Sequence, residues 1–194
     1  TTDNTCCAGA GKKTRVVALL REIFGAGVER MKLEHRSFKT PTNKTIEVTT
    51  LGSNYHIECN PSDAGNNDKF IIQEIIKEIA SHGSLQGAAS GQGGARSFKV
   101  VVLTEVDKLT KQAQASLRRT MEKYTATCRI ILICNSSSKI IAPVRSRCLG
   151  IRVPAPTHEA VAGALVAVGR KEQTPVPQEL AMSISMNSER NLRR

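Results

Sequence analysis

The chain has 194 residues, 40% hydrophobic and only 3% aromatic, with a formal net charge of +11. That length suffices for one sizeable core and a small appendage. No apolar run approaches the roughly 18 residues that a membrane span needs, so no membrane is expected among its partners. The start, TTDNTCCAGAGKK, is polar, small and then basic, unlike a signal peptide. Six cysteines (Cys6, Cys7, Cys59, Cys128, Cys134 and Cys148) show no C-x-x-C spacing. Four lie in or beside apolar runs, where a thiol acts as a small hydrophobe; a reducing compartment and no metal-ligating set are expected.

The charge is unevenly placed. Residues 1–107 carry thirteen basic and twelve acidic groups, and residues 148–194 carry six and four. Residues 108–147 hold nine basic groups against Glu122 alone. Such a stretch fits either a solvated helix face or a polyanionic partner. With few aromatics and no Trp, base stacking is disfavoured and phosphate contact favoured.

In chain order, TRVVALLREIF reads as a helix with Val16, Leu19, Leu20 and Ile23 on its apolar stripe, ended by Gly25 and Gly27. TIEVTT and YHIEC are short and alternating, as strands are. After a turn-rich loop from Pro61 to Asn67, DKFIIQEIIKEIAS carries Ile71, Ile75 and Ile79 beside Ile72, Ile76 and Ala80, a broad face that packs on a sheet. Residues 82–97 hold five glycines without periodicity and read as a flexible insertion. FKVVVL is a strand apolar on both faces, as in a parallel sheet. KQAQASLRRTMEKY is a helix with Ala113, Leu117, Met121 and Tyr124 on one side. RIILIC is a second buried strand, and LGIRVP reads as a third. Alternating strands and helices over 14–153 predict an α/β fold with a mostly parallel sheet, followed by a helical segment from Pro154.

Three motifs carry chemistry. AGAGKKT (8–14) places glycines before Lys12 at a helix start, where backbone N–H groups can surround phosphates and the Lys can reach the terminal ones. Cys6 stands at the first glycine position of the full pattern, and Lys13 where a hydroxyl would hold Mg²⁺; an exposed Gly-Lys turn is the plain alternative. FKVVVLTEVDKLT ends an apolar strand in Glu105 and Asp107, as a strand that faces a metal and an attacking water does, or as an ordinary strand cap does. RIILICNSSSKIIAPVRSRC ends a strand in Asn135, which can orient a water. It then places Arg147 in a loop, where an arginine can stabilise charge on a neighbour's phosphate.

ECNPSDAGNND, the block TEVDKLTKQAQASLRRTMEKYTATCRIILICNSSSKIIAPVRSRCLGIRVPAPT and the terminal RNLRR resemble the replication factor C small subunits, sliding-clamp loaders of the AAA+ family. The resemblance covers roughly residues 9–194, interrupted at the glycine-rich insertion. It implies an AAA+ P-loop nucleoside-triphosphatase α/β domain over 1–153 and a truncated helical lid over 154–194. It also implies a nuclear heteropentamer with other replication factor C subunits that binds ATP or ADP. That assembly loads the sliding clamp onto primer–template DNA in replication and repair. By resemblance, Gly9, Ala10, Gly11, Lys12, Lys13, Thr14 and Arg193 would hold nucleotide, and Glu105 would polarise water. Asn135 would act as a sensor, Arg147 would serve the neighbour's site, and Lys108, Lys111, Arg118 and Arg119 would face DNA.

Departures from the family pattern shape the remaining expectations. Cys6-Cys7-Ala8 replaces Gly-Pro-Pro, and a strand before the loop and a C-terminal collar read as missing. With Lys13 and Thr104 at positions where the family supplies a hydroxyl and an acid, Mg²⁺ is poorly provided for and the chain's own hydrolysis is expected to be weak or absent. Two rival readings stand beside this one: a DNA-binding scaffold that no longer binds nucleotide, and a self-sufficient P-loop enzyme.

Overall fold

The computed structural model describes residues 9–39, 45–82, 98–125 and 127–193. Cys6, Cys7, Ala8 and nearly all of the glycine-rich insertion lie outside the described residues. Contacts divide the chain into two compact units, Val16–Gly150, and Thr1–Arg15 with Ile151–Arg194.

In the first unit the sheet follows from two aliphatic runs. β1 (Lys32–Lys39), β2 (Thr45–Gly52), β3 (His56–Cys59), β4 (Lys99–Leu103) and β5 (Cys128–Leu132) lie side by side in chain order. β3, β4 and β5 run parallel, with Ile57 opposite Val101 and Val101 opposite Ile130. β1 and β2 extend this core as an antiparallel hairpin. The α/β class with parallel core strands expected from the sequence is thus what forms.

Alternation along β4 sends its side chains to both faces. Val101 and Leu103 join the core beneath α2 (Asp68–His82) and α3 (Lys111–Lys123), while Val100 and Val102 pack with Leu20 of α1 (Lys12–Phe24) and with Val28. Ile71, Ile72, Ile75, Ile76 and Ile79 of α2 are all buried. Burial of each such side chain is worth about 1.5–3 kcal/mol, so this helix is a main anchor of the layer. Thr110 starts α3, its hydroxyl accepting a hydrogen bond from the Ala113 N–H at 3.2 Å.

The buried thiols behave as expected. The four described cysteines are free, Cys59 and Cys128 are buried, and burial pushes the Cys59 thiol up to about 12.

Several sequence expectations differ from the structure: RIILIC, expected as a buried strand, forms the edge strand β5 with only partly buried aliphatics, and Leu19, expected on the apolar stripe of α1, is exposed. β1, KLEHRSFK, was not foreseen as a strand: it is an edge strand whose Leu33 is exposed, while Arg36 reaches Glu78 of α2 at 2.8 Å. The segment LGIRVP is not a strand; Leu149 is 88% exposed and Ile151 75%. Apolar content alone does not make a strand when no neighbour supplies the ladder.

After α4 (Ala142–Arg145), the second unit carries α5 (His158–Lys171) and α6 (Gln178–Asn187). Thr157 caps α5 through the Ala160 N–H at 3.2 Å. Ser185 of α6 donates to the His158 carbonyl at 3.1 Å, tying the two helices. Among the described residues no helix is long and apolar enough to cross a membrane.

Candidate functional site

The glycine-lysine loop opens α1. Gly9 and Gly11 both adopt φ 75°, a left-handed conformation that only glycine takes without strain. The Arg15 N–H donates to the Gly11 carbonyl at 3.1 Å, closing the first helical turn. No acidic residue lies in that turn; Lys12 and Lys13 open it instead. The positive end of the helix dipole adds to these two charges, an arrangement that favours an anion at the loop.

Arg193, 180 residues later, lies in the same compact unit. A tight turn leads to it, with Glu189 at φ 50° and Arg190 at φ 63°. The Leu192 N–H donates to the Gly9 carbonyl at 3.1 Å, and the Asn191 side-chain oxygen accepts from the Arg193 N–H at 2.9 Å. A Cβ at Gly9 would fall 1.6 Å from that oxygen. The loop and the Arg193 segment are therefore in direct backbone contact.

In the other unit, the carboxyl ends of the parallel strands gather a second set of groups, the usual place for ligand chemistry in such sheets. Ile133 N–H donates to Leu103 O at 2.8 Å, and Val106 N–H to Ile133 O at 3.1 Å, which brings the segments after β4 and β5 together. Asp107 accepts from the Asn135 N–H at 3.1 Å. Glu105 sits at φ 54°, strained for a non-glycine residue, as functional positions often are. Its carboxylate lies 2.8 Å from Lys108 Nζ, and Lys108 foremost, with Asn60 and Ser62, holds the carboxyl below the ordinary range. Asn60 and Ser62, joined by a 2.8 Å hydrogen bond, were not singled out from sequence; only their place at the end of β3 reveals them.

The donor set fits phosphate better than a metal. The Thr104 hydroxyl and N–H both donate to the Cys59 carbonyl, at 3.3 and 3.1 Å, so this residue presents no carboxylate to an ion. Lys13 brings a second positive charge where a neutral hydroxyl would be needed. Among the described residues no three His, Cys, Asp or Glu side chains come together as ligands.

The basic residues separate into groups. Lys108 pairs with Glu105, and Lys111 is exposed at the start of α3. Arg118 and Arg119 border a groove of about 440 Å³ together with Lys69, Gln73, Gln112 and Ser116. Lys69, on α2, is a cation that the sequence reading missed. Behind the groove, buried Gln114 donates to the carbonyls of Leu109 and Lys139, each at 3.3 Å, and accepts from the Ile141 N–H at 2.9 Å. Arg147 donates from Nε to Glu122 Oε1 at 2.7 Å and from Nη1 to the Pro143 carbonyl at 2.9 Å.

Comparison with known proteins gives the family. A profile described as DNA polymerase III, delta subunit, matches residues 9–157. The chain belongs to the DNA polymerase III delta subunit family. Replication factor C subunit 3 of Mus musculus is 54% identical over 187 residues, covering 96% of this chain and 51% of the relative. The Homo sapiens subunit 3 gives the same identity and coverage. The probable subunit 3 of Dictyostelium discoideum is 50% identical over 187 residues, covering 96% of this chain and 52% of the relative. The resemblance to replication factor C small subunits holds, and the chain spans about half the length of the curated relatives it matches.

Proposed function

We propose that this family member is a clamp-loader subunit that binds ATP or ADP and primer–template DNA within a nuclear assembly of replication factor C subunits, and helps load the sliding clamp. The observation that carries the reading is the loop itself: two left-handed glycines deliver Lys12 and Lys13 to the N-terminus of α1, with no acid in the turn. Backbone N–H groups of Gly9, Ala10 and Gly11 would bind phosphate, with Lys12, Lys13, Thr14 and Arg193 adding positive charge or a hydroxyl. Residues 154–194 serve as the lid and the preceding residues as the nucleotide-binding domain.

Glu105, kept ionised by Lys108, has the charge to accept a proton from a water, and Asn135 the amide to orient one. No step is routed through Mg²⁺, because Lys13 and Thr104 do not fit it, and hydrolysis by this chain is accordingly slow. Its larger catalytic role is Arg147, which serves a nucleotide on the neighbouring subunit. The groove between Lys69, Arg118 and Arg119 supplies contact with the DNA backbone, and Lys108 and Lys111 add to the positive field.

Equilibrium titration of the full-length protein with a fluorescent ATP analogue tests the nucleotide reading. Lys12→Ala should weaken binding at least about tenfold, as loss of a charge-assisted contact does. Lys13→Thr should make binding more dependent on Mg²⁺. Equal affinity in wild type and Lys12→Ala would instead favour a scaffold that does not bind nucleotide.

A further inference from the structure

Glu122 is the one acid among the nine basic groups of residues 108–147, and the structure places its carboxylate on Arg147. The contact is made across chain: Glu122 belongs to α3, whereas Arg147 follows α4, 25 residues later. The guanidinium is fixed at two points, Nε on Glu122 Oε1 at 2.7 Å and Nη1 on the Pro143 carbonyl at 2.9 Å, with Ser146 Oγ 3.5 Å from Nη1. Two anchors on one planar group set its plane and direction as well as its position. The group is not buried by this: its side chain stays 34% exposed, beside a cavity of about 360 Å³.

The same carboxylate oxygen lies 3.6 Å from Arg118 Nε, one turn earlier on α3. Arg147 first, and Arg118 after it, hold the Glu122 carboxyl below the ordinary range, so it stays ionised wherever the protein is folded near neutral pH. An arginine side chain loses much rotamer freedom on being ordered, and a group that must meet a phosphate in a defined orientation gains from being ordered beforehand.

We propose that Glu122 is a positioning residue for Arg147, presetting the guanidinium that acts on the neighbouring subunit's nucleotide. This rests on the reading of Arg147 as a trans-acting arginine. Glu122 touches no nucleotide; it acts only through Arg147.

The test uses the full-length subunit assembled with its partner subunits, with ATP hydrolysis measured in the presence of primer–template DNA. Glu122→Gln keeps the shape and removes the charge. It should lower turnover about two- to fivefold, the range an exposed ion pair supports, with no change in this chain's own ATP affinity. On an Arg147→Ala background the same substitution should have no further effect. Because Glu122 is half exposed, melting temperature and subunit assembly should match wild type, which separates positioning from folding.

Three outcomes overturn the proposal alone: Arg147→Ala impairs turnover while Glu122→Gln does not; Glu122→Gln impairs it equally with and without Arg147; or Glu122→Gln raises turnover. If Arg147→Ala itself has no effect, the trans-acting reading fails first and the positioning role falls with it.

Discussion

Asp68, the first residue of α2, accepts hydrogen bonds from both the backbone N–H and the hydroxyl of Thr110, at 2.8 and 3.0 Å across 42 residues. Thr110 in turn caps α3, so one carboxylate locks the start of two helices that share a core. Asp68 is 1% exposed. Removing it strands a part-buried N–H and hydroxyl, and such losses cost about 1–3 kcal/mol, more where a charged group is involved. Asp68→Ala should therefore lower the unfolding free energy from urea titration by an amount in that range, and Asp68→Asn by less. A shift under about 0.5 kcal/mol, typical of a surface change, would contradict the role.

Gly9 and Asn191 supply a prediction specific to the glycine-lysine loop. An alanine at position 9 must adopt φ 75°, and its Cβ would lie 1.6 Å from Asn191 Oδ1. The left-handed backbone alone costs about 1–2 kcal/mol, and the overlap adds to it. Gly9→Ala should weaken nucleotide binding and lower the melting temperature. Adding Asn191→Gly should restore part of both, since it removes the overlap and leaves the backbone cost. A double variant no better than the single one would show that the Arg193 segment does not rest on the loop.

His56 gives stability a pH dependence. It is buried in β3 with Ser53 Oγ 2.7 Å from Nδ1; burial lowers its pKa from the ordinary 6.5, and nearby Glu58 opposes that shift only in part. Between the lowered folded value and 6.5 the unfolded chain binds more protons than the folded one, so stability rises with pH there. The His56 contribution is complete above that window and lost as pH falls through it. Urea midpoints should drop between pH 7 and pH 5.5 by more in wild type than in His56→Gln, relative to each protein's own value at neutral pH. Parallel profiles would show that His56 does not carry the effect.

Much of the architecture was legible because it is written in local pattern. The aliphatic run FKVVVL could only be a two-faced inner strand, and the isoleucines of α2 could only meet a sheet, whereas RIILIC, read from the same pattern as buried, forms the edge strand β5 with its aliphatic side chains only partly buried. β1 was missed because an edge strand needs little apolar content. LGIRVP was read as a strand on composition, yet pairing requires a neighbouring ladder. At the candidate site, Glu105 and Asn135 stood out because each ends a strand. Asn60, Ser62, Lys69, Glu122 and Asn191 did not, since their proximity is created by topology across 25 or more residues. No local periodicity records that kind of contact.

In the proposed function this chain acts as one part of an assembled loader and contributes Arg147 to its neighbour. The most direct measurement is ATP hydrolysis by the full-length, assembled complex with primer–template DNA, comparing Arg147→Ala with Arg145→Ala. Arg145 lies in the same basic stretch and is exposed, so it controls for simple loss of charge. Trans-acting arginines contribute roughly 10³–10⁵ in rate in GTPases, and a loader with several sites should show a smaller share of that. Arg147→Ala should lower turnover at least about tenfold, with this chain's own nucleotide affinity unchanged and Arg145→Ala near wild type. Equal small losses from both variants, with DNA binding weaker at higher salt, would make the loop a phosphate-backbone contact, and no loss from either would remove the trans-acting role.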